Sequence, residues 1–228
     1  MTEKVLEFRR VSRSFGAGGD RRTVLRDVDL SVAGGEVVAL FGRSGSGKSA
    51  LLTIAAGLDA PDSGEVLVSG RPATTDAAWH RIALLPQALG LLDELTVEEN
   101  VSLPLVLAGE ADEAAVDETL ERLSLAHLSR RLPSEISLGE QQRTALARAV
   151  IVSPSILIAD EPVSHQNPAL AQTMIEAIAQ LAEHGTACLI ATHDDPVVRI
   201  AHRVVQLRDG QVTDRSSGPG NSEETVPV

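Results

Sequence analysis

Two short segments carry residues suited to holding and cutting phosphate. Residues 42–49, Gly42-Arg43-Ser44-Gly45-Ser46-Gly47-Lys48-Ser49, fit the G-x-x-x-x-G-K-[ST] spacing at every fixed position. Glycines at those positions let backbone N–H groups turn inward on a polyphosphate, and a helix opening there adds a favourable dipole. Lys48 can reach β- and γ-phosphates, and the Ser49 hydroxyl can ligate Mg²⁺. A glycine-rich turn with a chance lysine is the plain alternative. It is disfavoured because an apolar run, Val37–Phe41, precedes the motif and a helix-like run follows it. The second segment, Ile156-Leu157-Ile158-Ala159-Asp160-Glu161, brings two carboxylates to the C-terminal end of an apolar strand, where open parallel sheets bind ligands. Adjacent residues on a strand point oppositely, so these acids can act at one site only if the chain turns after Asp160, and Pro162 helps that turn. Asp160 then serves a Mg²⁺ shell, and Glu161 polarises an attacking water.

Short aliphatic runs at 36–41, 64–69, 82–85, 156–160 and 188–192 read as buried strands. Helical stretches at 46–57 and 170–183 lie between them, and this alternation favours a parallel sheet covered by helices. Residues 89–152 lack strand signals and are rich in Ala, Leu and Glu, which predicts an inserted helical subdomain. Within it, Thr96 followed by Glu98 and Glu99 marks a helix start, and Pro104 is expected to kink or end a helix. The Gly/Pro-rich stretch 216–228 is expected to be a disordered tail.

The 228 residues, 43% of them hydrophobic, suffice for one large α/β domain with a buried core. A net charge of -12 argues against a nucleic-acid partner, whose footprint is usually a basic face. The one cysteine, Cys188, rules out an internal disulfide and reads as a small buried hydrophobe. No apolar stretch approaches the ~20 residues that span a bilayer, and the N-terminus has no signal-peptide pattern. A cytoplasmic chain that meets a membrane only through a partner is therefore expected. The arginines at 9, 10, 13, 21 and 22 read as a solvated face. His80, His127, His165, His184 and His202 show no metal-ligand spacing, and Trp79 reads as packing or surface.

Ile136-Ser137-Leu138-Gly139-Glu140-Gln141-Gln142-Arg143 resembles the signature L-S-G-G-[QE]-Q-Q-R of ATP-binding cassette (ABC) proteins. Lying between the phosphate loop and the acidic strand, it matches that family's motif order over nearly the whole chain. Kinases and small GTPases lack it. The resemblance implies an α/β fold: a P-loop NTPase core with a mostly parallel sheet, an N-terminal antiparallel β-subdomain and an inserted helical subdomain (89–152), all within 1–215. It implies ATP hydrolysis with Mg²⁺, and nucleotide binding by Gly42, Arg43, Ser44, Gly45, Ser46, Gly47, Lys48, Ser49 and Ala50. Phe15 lies where the family keeps an aromatic that stacks on adenine. Gln87 matches the glutamine that senses Mg²⁺ and nucleotide, alongside the metal ligands Ser49 and Asp160. His193, in Ala191-Thr192-His193-Asp194, matches the histidine that holds γ-phosphate and water. A strand-end histidine bonded to a carbonyl is the plain alternative, which the motif order overrides. Ser137 and Gly139 would reach the γ-phosphate held by an opposite subunit, so each site would be complete only in a dimer.

Residues 91–105 resemble LLxxLTVxENVxLPL, a pattern of the lipoprotein-release, macrolide-export and antimicrobial-peptide-export ATPases, with the cell-division ATPase a near relative. The resemblance implies a second cassette subunit, identical or not, and a transmembrane permease on a separate chain at the inner membrane face. Two positions depart from the pattern. Leu138 replaces the first signature glycine, and Asn167 ends Val163-Ser164-His165-Gln166-Asn167 where relatives typically end in Asp. Losing that charge weakens a charge-assisted bond by roughly half. The expected function is the motor of a transporter or exporter. The alternatives are a non-transporting mechanical transmitter of the cell-division type and a slow nucleotide-gated module.

Overall fold

The computed structural model describes residues 3–16, 20–73, 81–164, 166–193 and 195–215. Trp79, His80, His165, Asp194 and the 216–228 tail lie outside the described residues. Strands β1 (Lys4–Phe15) and β2 (Arg22–Ala33) pair antiparallel, and β3 (Val37–Phe41) leads through the phosphate motif into helix α1 (Lys48–Ala55). Strands β4 (Ser63–Val68), β5 (Arg71–Pro72) and β6 (Ile82–Leu85) follow. Helices α2 (Val97–Ala108), α3 (Glu113–Arg122) and α4 (Leu138–Val150) come next, then β7 (Ile156–Asp160), helix α5 (Pro168–Glu183) and β8 (Ala187–Ala191). Helix α6 (Asp195–Ile200), β9 (Arg203–Arg208) and β10 (Gln211–Arg215) complete the order.

Two sheets result. One is antiparallel, ordered β2-β1-β4-β5; the other runs β10-β9-β3-β8-β7-β6, parallel except for β10. The central strands are apolar at nearly every position because both faces are covered. Val38, Leu40, Ile156, Ile158, Ala187 and Leu189 pack with α1 and the antiparallel sheet. Val37, Ala39, Leu157, Ala159, Cys188 and Ile190 pack with the helices of the opposite layer. Burial pushes the Cys188 thiol up to about 12, so it stays neutral as a core hydrophobe.

The α/β fold expected from the sequence is the one observed. The segment expected as a parallel strand at 64–69 instead joins the antiparallel sheet as β4, beside β1. Such a run reports burial rather than its pairing partner. Helix α2 starts with a Thr96–Glu99 capping box and runs through Pro104 to Ala108, so the proline does not end it. Burial of Val101 and Leu105 on either side offsets the missing N–H. The N-terminal arginines are partly structural. Arg13 binds Asp59 and Asp62 at 2.8 and 3.1 Å, and Arg21 reaches Asp62 at 2.8 Å. His202 Nδ1 accepts from the Val37 N–H at 3.1 Å.

Asn100, fully buried, accepts from the Leu92 N–H and donates to the carbonyls of Leu92, Leu95 and Thr96. It thereby fastens the loop after β6 to α2. Asn100→Leu strands those backbone groups and should destabilise the protein by about 2–4 kcal/mol, read as a lower urea midpoint. An unchanged midpoint would show that water replaces the amide.

Candidate active site

β3, β8 and β7 lie side by side, so the loops leaving their C-terminal ends meet. The loop after β3 carries the phosphate motif and enters α1 through Gly47, whose φ is +106°. A Cβ there would stand 2.8 Å from Val24 Cγ1, so both conformation and space demand glycine. At Gly42 a Cβ would collide with Ser46 Oγ and the Leu207 carbonyl. Lys48 Nζ donates to the Gly42 carbonyl at 2.7 Å, and Ser46 Oγ is buried with no hydrogen-bond partner. That orphaned hydroxyl, with a lysine folded over the loop, fits a cradle shaped for phosphate oxygens. Arg43, Ser44, Gly45 and Ser46 also wall a cavity of about 890 Å³ shared with residues 20–26 and 206–210. Ala50 lies in the first turn of α1. Phe15 ends β1, 43% exposed, and the Arg13 guanidinium carbon sits 4.9 Å from its ring centroid.

The two acids part at the end of β7. Asp160 closes the strand, and its Oδ2 accepts from Ser49 Oγ at 3.0 Å. Glu161 adopts φ +51°, its N–H donates to the Ala191 carbonyl at 2.9 Å, and its Oε1 lies 2.7 Å from His193 Nδ1. A carboxylate can only accept, so this bond places a proton on Nδ1. Thr192 Oγ1 adds a donor to Glu161 Oε2 at 3.4 Å. Ser49 and Asp160 supply hard oxygen ligands of the kind Mg²⁺ takes beside phosphates and waters, so the donor set fits that ion. Gln87 stands exposed two residues beyond β6, and no side-chain hydrogen bond joins it to Ser49 or Asp160.

Ser137 and Gly139 sit elsewhere, at the start of α4. Ser137 is the N-cap residue, and its side chain shares a capping box with Glu140. Leu138 opens the helix with 51% of its surface exposed, so it projects from the face that carries Ser137. Asn167 caps α5, its Oδ1 accepting from the Leu170 N–H at 3.0 Å.

Several residues that sequence reasoning passed over hold these pieces together. Arg148 of α4 donates to the carbonyls of Leu89 and Gly90 at 3.0 and 2.8 Å, tethering the Gln87 loop to the signature helix. Gln142 donates to the Glu161 carbonyl at 2.9 Å. A polar residue in a helix interior gives no hint of which distant carbonyl it meets.

A loop gripping phosphate beside a strand-end acid on its hydroxyl is found in many nucleotide enzymes; a signature helix latched to that strand narrows the field. The family described as ABC transporter matches residues 25–164. The chain belongs to that family. The cassette is 41% identical to the lipoprotein-releasing system ATP-binding protein LolD 2 of Caulobacter vibrioides, over 93% of this chain and 98% of the relative. It is 35% identical to the macrolide export ATP-binding/permease protein MacB of Escherichia coli, over 99% of this chain and 36% of that protein. Among solved structures, the dimeric post-hydrolysis ATP-binding cassette MJ0796 bound to ADP and Pi is similar at TM-score 0.84 and 31% identity, covering 91% of this chain and 96% of that one. This cassette is thus an ATPase of the lipoprotein-release and macrolide-export type, and ATP hydrolysis is the activity its family exists to perform.

The capping box gives the signature helix an acid-sensitive N-terminus. The Ser137 N–H, then the Ser137 hydroxyl, hold the Glu140 carboxyl below its ordinary 4.5. A depressed folded-state value contributes stability above pH 4.5 that is lost as pH falls through it. Glu140→Gln should therefore flatten the acid limb of the melting-temperature profile below that pH. A variant whose acid limb matches the wild type would remove Glu140 from this role.

Proposed function

We propose that residues 1–215 form one ATPase unit, with a helical subdomain at 89–152, that works as half of a dimer driving a separate transmembrane permease at the inner face of the membrane. The observation that carries this reading is the division of labour between two adjacent acids: Asp160 on Ser49 beside the phosphate loop, Glu161 on His193.

Within one subunit, residues 42–50 bind the phosphates, with Lys48 as the point charge and backbone N–H groups as the cradle. Phe15 stacks on adenine, its ring backed by Arg13. Ser49, Asp160 and Gln87 would hold Mg²⁺, which would supply positive charge to offset that of the phosphates. Glu161 orients the attacking water, and His193 positions that carboxylate and the γ-phosphate. Ser137 and Gly139 supply the last contacts from the opposite subunit, so closure of the dimer and completion of the site are one event. LolD 2 and MacB, by their names, serve lipoprotein release and macrolide export. Export of an amphipathic or lipid-linked cargo is the corresponding role here.

Glu161→Gln keeps the phosphate cradle and removes the water-orienting charge. It should bind ATP normally, hydrolyse it at a small fraction of the wild-type rate and accumulate an ATP-dependent dimer on gel filtration. Wild-type turnover or a persistent monomer would refute the assignment.

Leu138 stands exposed beside the face presented to the partner. Leu138→Gly should raise turnover and tighten the ATP-bound dimer while leaving the monomer's ATP affinity unchanged. The helix-propensity cost is up to about 1 kcal/mol, so melting temperature is measured alongside. Wild-type turnover in a stably folded variant would mark the leucine as tolerated.

A further inference from the structure

Gln166 lies in the turn between Glu161 and α5, and its side chain leaves that turn for the signature helix. Its Nε2 donates to the Gly139 carbonyl at 2.7 Å and to Gln142 Oε1 at 3.0 Å. Its Oε1 accepts from Arg143 Nη1 at 3.0 Å. A guanidinium only donates and a carbonyl only accepts, so these partners dictate the orientation of the Gln166 amide. Gln142, 3% exposed, passes the chain onward by donating to the Glu161 carbonyl at 2.9 Å. Arg143, 4% exposed, forms no ion pair among the described residues; its Nε instead donates to the Leu123 carbonyl at 3.1 Å. An amide at position 166 is therefore one of the few acceptors this buried cation has.

The two ends of this chain serve different nucleotides. Glu161 acts in its own subunit's site, whereas the turn holding Ser137 and Gly139 is presented to the site across the dimer. We propose that Gln166 is a positioning residue that ties the signature turn offered to one ATP site to the carboxylate turn of the other, so that each cassette moves the two as a single piece. This rests on the reading of Ser137 and Gly139 as ligands of the opposite subunit's nucleotide. Gly139 itself bridges the two functions: its carbonyl is gripped from behind by Gln166 while its N–H end belongs to the face that meets the partner. A loosened Gly139 carbonyl frees the turn to tilt, and the cost falls on dimer closure rather than on nucleotide capture.

The test uses the full chain in the Glu161→Gln background, where the ATP-bound dimer persists. Gln166→Leu keeps the side chain's bulk and deletes all three hydrogen bonds. Gln166→Glu keeps an acceptor for Arg143 and deletes both donations, so it covers the case in which the leucine variant fails to fold. Sedimentation with ATP should show the dimer weakened by roughly tenfold, the effect of about one hydrogen bond. ATP affinity below the dimerisation concentration, by calorimetry, should be unchanged. With Glu161 intact, kcat should fall at constant KM. Gln142→Leu should weaken the dimer similarly, and the double variant with Gln166→Leu by less than the sum of the two, because the side chains share a hydrogen bond. A merely structural role predicts instead a lower melting temperature with dimer affinity intact, or additive losses, and either result overturns the proposal. Ser137→Arg is the control for the underlying reading. If it weakens the dimer and the Gln166 variants do not, the positioning role alone falls; if it leaves the dimer intact, the assignment of the signature turn to the opposite site falls and takes the proposal with it.

Discussion

The backbone at Glu161 turns through the left-handed region at φ +51°, a conformation that costs a non-glycine residue about 1–2 kcal/mol. Without that turn, Asp160 and Glu161 would point to opposite faces of the sheet and share no site. Among the bonds that hold it are the Glu161 N–H to the Ala191 carbonyl, the Gln142 amide to the Glu161 carbonyl, and His193 to the Glu161 carboxylate. Two reach the end of β8 and the loop that leaves it, and one reaches the signature helix. One small strained turn therefore joins the end of β8, the signature helix and His193 to β7, whose Asp160 accepts from Ser49.

The surrounding architecture makes such a turn affordable. β3, β8 and β7 are buried on both faces, with α1 and the antiparallel sheet on one side and helices on the other. Their C-terminal ends cannot drift apart, so loop residues inherit fixed positions from a rigid core. The helical layer packs on the sheet through a shared apolar cluster and is also latched to the nucleotide side by polar side chains: Arg148 to the Gln87 loop, Gln142 to the Glu161 carbonyl, and Gln166 from that turn back to Gly139. These bonds add direction to contacts that apolar packing alone leaves unoriented.

The two departures from the family pattern acquire local meaning in this setting. Leu138 occupies the first helical position of α4, where a side chain does not disturb the capping box between Ser137 and Glu140. Its effect is confined to the surface presented outward. Asn167 caps α5 through Oδ1, a task asparagine performs as well as aspartate. The helix start is thus preserved while the negative charge is absent.

The pieces that the fold gathers at the strand ends were marked in the sequence, His193 only through the motif order of the family. The spacing around Lys48 and Ser49, the apolar run into Asp160 and Glu161, and His193 after a last apolar strand are local patterns, and local patterns survive in one dimension. So did β3, β6, β7 and β8, because a strand buried on both faces must be apolar throughout; β9, mixed in burial and flanked by arginines, was not read as a strand. The pairing of 63–68 with β1 was not legible, since hydrophobicity records burial and not the neighbour. Nor was the bridge of Gln166, Gln142 and Arg143. Its members look like ordinary polar positions, and the hydrogen bonds from Gln166 to Gly139 and from Gln142 to Glu161 cross 27 and 19 residues of chain. A hydrogen bond needs a direction as well as a residue type, and only the folded chain supplies the direction.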